Sequence, residues 1–305
     1  MLRRTYSTSV FNILLDNGFQ CGEKYGEAGC KDLLIFFSVI FIIAALVCVP
    51  EYVLKKSLFF PSYGNAWDAF RTPSIYGHPI RVGTSLTIAL AIYIFLYKKS
   101  FVRWGIIILD LFGLFACESR SSWIACASTC LLLLIAATQK KVARKKVIIA
   151  MIAIVIVILF LMSAPGTSMI AAITERFAQA SGDNVSKVQR LGAISYFATK
   201  VIDEFNPITF LLGHGEDAAA NVMLETSIVF KNFSTTDNQY LLIFYNYGLI
   251  ALIVILSGAV KCIVRFIRTY RSNGNTVNCL LFICISQAIC SFFYELTENK
   301  SCAFW

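Results

Sequence analysis

Four polar clusters interrupt an otherwise apolar chain, and each holds groups able to bind or move charge. Arg71-Thr-Pro-Ser-Ile-Tyr-Gly-His-Pro79 sets an arginine and a histidine among helix-breaking Pro and Gly residues, as in an ordinary turn or a polar site near a membrane interface. Glu118-Ser-Arg-Ser-Ser-Trp123 places Arg120 in a very short turn between apolar runs. An arginine held at membrane depth is costly without an anionic partner. Glu118 or a lipid phosphate would supply one. The alternative is a phosphate clamp, because forked guanidinium donors match phosphate oxygens.

The third cluster contains Glu175-Arg176 and then Arg190, on a helix expected from Lys187 to Asp203 that ends before Asn206-Pro207. Such a helix could project Arg190 from a fixed scaffold, or simply expose it to solvent. The fourth combines Gly213-His-Gly215 with Asp237-Asn238, bringing backbone freedom, an imidazole, a carboxylate and an amide into one neighbourhood. Asp237 suits a general base or hydroxyl acceptor. It also suits the N-cap of the apolar helix that follows, and the two roles are compatible.

The elements that must position these groups are membrane spans. Of the 305 residues 57% are hydrophobic and only 15% charged, and the mean hydropathy is +0.69, which marks an all-α polytopic membrane protein. Crossing roughly 30 Å of hydrocarbon takes about 20 apolar residues. Such runs are read at 33–49, 80–97, 104–117, 122–138, 147–164, 240–260 and 277–294. The expectation is therefore about seven transmembrane helices, with one large external loop, 165–238, between the fifth and sixth. Residues 1–32 read as a cytoplasmic or interfacial segment with no cleavable signal, and 33–305 as one membrane domain.

Charge sets the orientation. The short loops Lys98–Arg103, Lys140–Lys146 and Lys261–Arg271 carry three, five and four positive charges and no acid, so they are expected in the cytoplasm. Segment 165–238 has five Lys/Arg against eight Asp/Glu and reads as external. The net charge of +9 is thus mostly a topology signal, and nucleic-acid binding is rejected. Most of the eleven cysteines fall in or beside spans and read as packing residues. The only two histidines, His78 and His214, have no neighbouring ligand set, so no metal is expected. No solenoid repeat is visible.

With this topology all four clusters fall on one side of the membrane. In order along the chain stand Gly77-His78-Pro79, Ser119-Arg120-Ser121, Arg190 ahead of Leu211-Leu-Gly-His-Gly215, and Asp237-Asn-Gln-Tyr-Leu241 with Tyr247-Gly-Leu-Ile250. That ordered set resembles the O-antigen ligase and polymerase superfamily of bacterial membrane glycosyltransferases, over most of the chain from about Arg71 onward.

The resemblance implies a multi-pass protein of the bacterial cytoplasmic membrane, active at its external or periplasmic face. Its substrates would be glycans linked to undecaprenyl diphosphate, transferred without a metal, a cofactor or a nucleotide sugar. A diphosphate leaves as a glycan hydroxyl attacks the anomeric carbon, so developing negative charge must be stabilised. Arg120 and Arg190 are assigned to that diphosphate and Asp237 to the attacking hydroxyl, as the catalytic set. Arg71, His78, Glu118, His214, Asn238 and Gln239 are expected to bind substrate, with His214 as a substitute base.

Members that are ligases often place a histidine where this chain has Asp237, which leans the reading towards polymerase. The family carries more spans ahead of its first motif than the single one before Arg71, so the chain is expected to lack an amino-terminal helical block. An inactive or partner-dependent protein is one consequence. Membrane lipids, a chain-length regulator and a flippase are the partners implied. The competing functions are a ligase, a flippase or transporter for lipid-linked glycan, and a noncatalytic assembly factor. Few ionisable residues beyond Asp110 lie inside the spans, which favours an interfacial enzyme over a through-membrane path.

Overall fold

The computed structural model describes residues 6–60, 70–138, 167, 170–171, 173–175, 185–226, 234–270 and 274–294. The expected span 147–164, the basic loop 140–146 and Arg176 lie outside the described residues.

Every regular element among the described residues is helical. They are α1 (Tyr6–Leu54), α2 (Pro79–Phe95), α3 (Phe101–Ala116), α4 (Arg120–Thr138), α5 (Val185–Asp203), α6 (Pro207–Leu212), α7 (Ala218–Glu225), α8 (Gln239–Thr269) and α9 (Asn275–Cys290), with a single 3-10 turn at Ser74–Tyr76. Ala28–Leu54 of α1 and all of α8 are long and apolar enough to cross a membrane. Pro79–Phe95, Arg120–Ala136 and Asn275–Cys290 are shorter apolar helices. α1 is broken at Gly26, which is not helical (φ 64°, ψ −157°), so its apolar part begins just beyond that residue.

Local sequence explains where the helices begin. His78 accepts from the Ile80 amide and Pro79 opens α2; Asn206 accepts from the Ile208 amide and Pro207 opens α6. Proline fits the first helical position because its missing N–H would have no intrahelical acceptor there. Ser100 caps α3 through the Arg103 amide.

α2 is the central helix, burying Val82, Leu86, Ala89, Leu90, Ala91, Ile92 and Tyr93. It packs against α1, α3, α4 and α9. One cluster joins α2, α8 and α9 around Phe95, Phe266 and Phe282; another joins α1, α2 and α3 around Ala45, Leu86 and Leu114. The described part of the expected external loop is largely helical. α5 buries Gln189, Ala193 and Phe197 along one stripe. The last two belong to a separate core with Met223 of α7 and Leu242, Ile243 and Tyr245 of α8.

Asp110, in the expected span 104–117, is fully buried in α3, and a second acid, Glu51, is fully buried near the end of the membrane-capable stretch Ala28–Leu54 of α1. Glu51 is an organiser: its carboxylate accepts from the Leu58 amide at 2.9 Å, the Ser74 amide at 2.8 Å and the Ser57 hydroxyl at 3.2 Å. It thereby ties the end of α1 to the segment that carries Arg71 and His78.

Candidate functional site

The helix ends that carry the polar clusters are linked by direct contacts. The Thr72 amide donates to the Ala116 carbonyl at the end of α3. Gly83 in the second turn of α2 abuts the start of α4, where a Cβ at Gly83 would meet Ser122 Oγ at 2.2 Å and Ser119 Cβ at 3.0 Å. Gln287 of α9 donates to the Thr84 carbonyl and the Thr87 hydroxyl of α2. The Gln239 amide at the start of α8 donates to the Ser291 carbonyl, and the Tyr240 hydroxyl to the Ala288 carbonyl. The ring of His78 stacks on Tyr294. The starts of α2, α4 and α8 and the end of α9 therefore sit at one end of the bundle, with Arg71, His78, Glu118, Arg120, Asp237, Asn238 and Gln239.

Arg190 reaches this end from α5. Its Nε lies 3.8 Å from Asp237 Oδ2, with the two side chains 25% and 21% exposed. At that separation the charges attract without a hydrogen bond, and Arg190 Nε is buried without a hydrogen-bond partner. Burial raises the Asp237 carboxyl above the ordinary carboxylate range; the Arg190 guanidinium and the Thr235 hydroxyl, 3.4 Å away, pull it back. The neighbouring Gln189 is buried with its Oε1 unpartnered, so α5 presents adjacent polar groups beside α8.

The N-cap of α8 differs from expectation. Asn238, not Asp237, caps the helix, its side-chain oxygen accepting from the Tyr240 amide at 3.0 Å and the Leu241 amide at 3.1 Å. Asp237 sits one residue earlier with a positive φ of 53°. That backbone twist frees its carboxylate from capping and leaves it beside Arg190.

Arg71 is largely buried, and the first turn of α2 adds Arg81 to the same neighbourhood. Burial, with Arg71 and Arg81 nearby, pushes the His78 imidazole down to about 3. The ring is thus neutral at physiological pH, as its Nδ1 must be to accept from Ile80. Ser119, Ser121 and Ser122 form a hydroxyl cluster next to Arg120. Glu118 adopts a positive φ of 48°.

His214 is held elsewhere along α8. Its ring stacks on Tyr245 at 4.2 Å and 8°, and its Nδ1 lies 3.2 Å from the Tyr245 carbonyl. The cause is a break in α8 at Gly248 (φ 80°, ψ 178°). A helix interrupted there leaves upstream carbonyls without their usual amide donors. The His214 amide donates to the Tyr245 carbonyl at 3.0 Å and the Gly215 amide to the Asn246 carbonyl at 2.9 Å. The Asn246 side chain accepts from the Ala219 amide at 2.8 Å. A Cβ at Gly213 would meet the Asn246 carbonyl oxygen at 2.2 Å, and one at Gly248 would meet the Leu211 carbonyl oxygen at 2.2 Å. The two glycines let the backbones interlock.

The family model for O-antigen ligase matches residues 105–256. These residues belong to the O-antigen ligase family. No curated protein and no solved structure matches the chain. The O-antigen ligase domain takes in α4 to α7, most of α3 and the first half of α8, so it holds Glu118, Arg120, Arg190, His214, Asp237, Asn238 and Gln239; Arg71 and His78 precede it. Its members are integral membrane enzymes of the ligase and polymerase type that use lipid-linked glycans.

Glu51, Arg81 and Gln189 escaped the reading of the sequence. A carboxylate directly after Pro50, at the edge of an apolar run, was the available signal for Glu51. Arg81 lay in the expected second span and was absorbed by it. Gln189, beside Arg190, carried no pattern of its own.

Proposed function

We propose that this protein polymerises undecaprenyl-diphosphate-linked oligosaccharide repeat units into an O-antigen, capsular or exopolysaccharide, at the outer face of the bacterial cytoplasmic membrane. The observation that carries the reading is the Arg190–Asp237 pair, a cation and a carboxylate that attract without a hydrogen bond in a partly desolvated site. Groups held apart in this way keep capacity for a ligand. Arg190, with Arg120, binds the diphosphate, and Asp237 receives the proton of the attacking hydroxyl.

In the reaction the hydroxyl oxygen forms a bond to the anomeric carbon while the bond from that carbon to the diphosphate oxygen breaks. The electron pair leaves with the diphosphate, where guanidinium groups offset the growing charge, and the hydroxyl proton passes to Asp237. No metal or nucleotide sugar takes part. A raised Asp237 suits this role, because a stronger base accepts the proton more readily provided it is ionised. Arg71, His78, Glu118 and Gln239 complete the substrate site. His78 stays neutral and acts as a cap and a stacking surface rather than as a charge.

The family description favours a second reading, transfer of the finished glycan in one step to another acceptor; Asp237 in place of a histidine favours polymerisation. Purified protein incubated with undecaprenyl-diphosphate oligosaccharide separates them. A ladder of products is the expected outcome; a single transfer to a lipid acceptor identifies a ligase. Binding without either product overturns the transferase reading in favour of a flippase or an assembly factor.

A further inference from the structure

α6 and Phe205, two residues ahead of it, turn a strongly apolar surface outward. Phe205, Ile208, Leu211 and Leu212 are 59%, 68%, 43% and 63% exposed, and no charged residue occurs from Phe205 to Gly213. Charges resume on either side, at Asp203-Glu204 and Glu216-Asp217. An uncharged patch bordered by acids is unusual on a water-facing loop.

Its depth follows from the helix it packs on. The uncharged stretch Gln239–Val260 of α8, ending at Lys261, is about as long as the roughly 20 residues that cross a bilayer. α6 meets α8 through Phe210 on Phe244 and through Gly213 on Asn246. At 1.5 Å per residue these positions lie about 8 to 11 Å along that stretch from Gln239, within the adjacent leaflet. Tyr247, Ile250, Ile253 and Val254 of α8, the helix that α6 packs on, are exposed as well.

Backbone pairing is consistent with that depth. Irregular chain is tolerated inside a membrane only where its polar groups are satisfied by protein. The Gly213, His214 and Gly215 amides donate to the Thr209, Tyr245 and Asn246 carbonyls respectively. Tyr247, 47% exposed near the start of α8, is an aromatic of the kind found in the belt of a membrane interface.

We propose that Phe205 and the outward face of α6 are embedded in phospholipid acyl chains of the leaflet at the Asn238 end of α8, so that the bilayer itself anchors the segment leading to His214. The occupant is bilayer lipid, and the proposal does not depend on which reaction the protein catalyses.

The test uses the full chain reconstituted in phosphatidylcholine–phosphatidylglycerol vesicles, with Ile208→Trp and Leu212→Trp variants and the parent spectrum subtracted. Phe205→Trp, an aromatic exchange, repeats the measurement with the least disturbance to folding. Asn221→Trp, on the exposed side of α7, calibrates the response to water-soluble iodide. The added fluorescence is expected to be blue-shifted, quenched severalfold more by lipids brominated on their acyl chains than by iodide. Stronger quenching by iodide would place α6 in water and overturn the proposal. Protection from both quenchers would mean that protein, such as a second copy of the chain, covers the face, and would overturn it equally. Neither outcome touches the transferase reading, because no glycan is present.

Discussion

Arg190 Nε lies 3.8 Å from Asp237 Oδ2, and the contact joins α5 to the residue just ahead of the cap of α8. Two elements far apart in the chain thus meet through opposite charges at the end of the bundle that also holds the starts of α2 and α4.

If that pair acts on substrate, Arg190→Ala and Asp237→Asn should each lower product formation by about 100- to 1,000-fold, the cost usual for removing a group that stabilises transition-state charge. The assay is glycan polymerisation by variants that elute as the parent does in gel filtration. Rates within a few-fold of the parent would remove the pair from the catalytic set.

The pH profile supplies an independent check on Asp237. Burial raises its carboxyl above the ordinary range, while Arg190 and Thr235 lower it. A base must be ionised, so the rate should fall as pH drops through that raised value. Thr235→Val removes one of the lowering influences and should move the acid limb to higher pH. For stability the sign is opposite: the fold favours the protonated carboxyl, a contribution present below the ordinary carboxylate value and lost as pH rises through the folded one. An unmoved acid limb in Thr235→Val would count against Asp237 as the titrating base.

His78 is shifted the other way, down to about 3. Its neutral form contributes stability above the unfolded imidazole value of about 6.5, and that contribution is lost as pH falls towards the folded value. His78→Asn keeps a capping oxygen and removes the titration. Melting temperatures of parent and variant should differ by a constant amount above neutrality, and the parent should fall faster below about pH 6. Parallel curves throughout would show that protonation of His78 is not linked to folding.

Gly213 and Gly248 are predicted to be intolerant of any side chain. Each has a positive φ, and a Cβ would lie 2.2 Å from a backbone oxygen. Gly248→Ala should cost at least about 1 to 3 kcal/mol from backbone strain alone, read as a lowered melting temperature. Gly258→Ala in the same helix is the control, since nothing lies within 4 Å of its added Cβ. Equal tolerance at 248 and 258 would contradict the interlock with α6.

Asn238 should behave as a cap. Asn238→Ala is expected to lose about 1 kcal/mol, whereas Asn238→Ser and Asn238→Asp keep most of it. Normal stability with a raised KM in Asn238→Asp would instead point to contact with substrate.

Much of the helical framework was legible in the chain. Apolar runs specify helices by composition, and Ser100, Asn206-Pro207 and His78-Pro79 mark helix starts through local hydrogen bonds and the fixed φ of proline. The helix expected from Lys187 to Asp203 appears as Val185–Asp203. The motif order also identified the family, because residue types and their sequence are what a family shares.

The cap of α8 was not legible, since Thr235-Thr-Asp-Asn offers adjacent residues of nearly equal capping preference. A positive φ at Asp237 settled it, and with it which side chain faces Arg190. His214 likewise found its place through carbonyls released by the break at Gly248, a partner far along the chain that no local spacing encodes. The sequence by itself determined a helical chain with membrane-capable spans and an O-antigen ligase domain, because hydropathy, local capping and motif order are properties of neighbouring residues. Only the tertiary structure decided which charge meets which, because those pairings depend on how helices pack and where their backbones break.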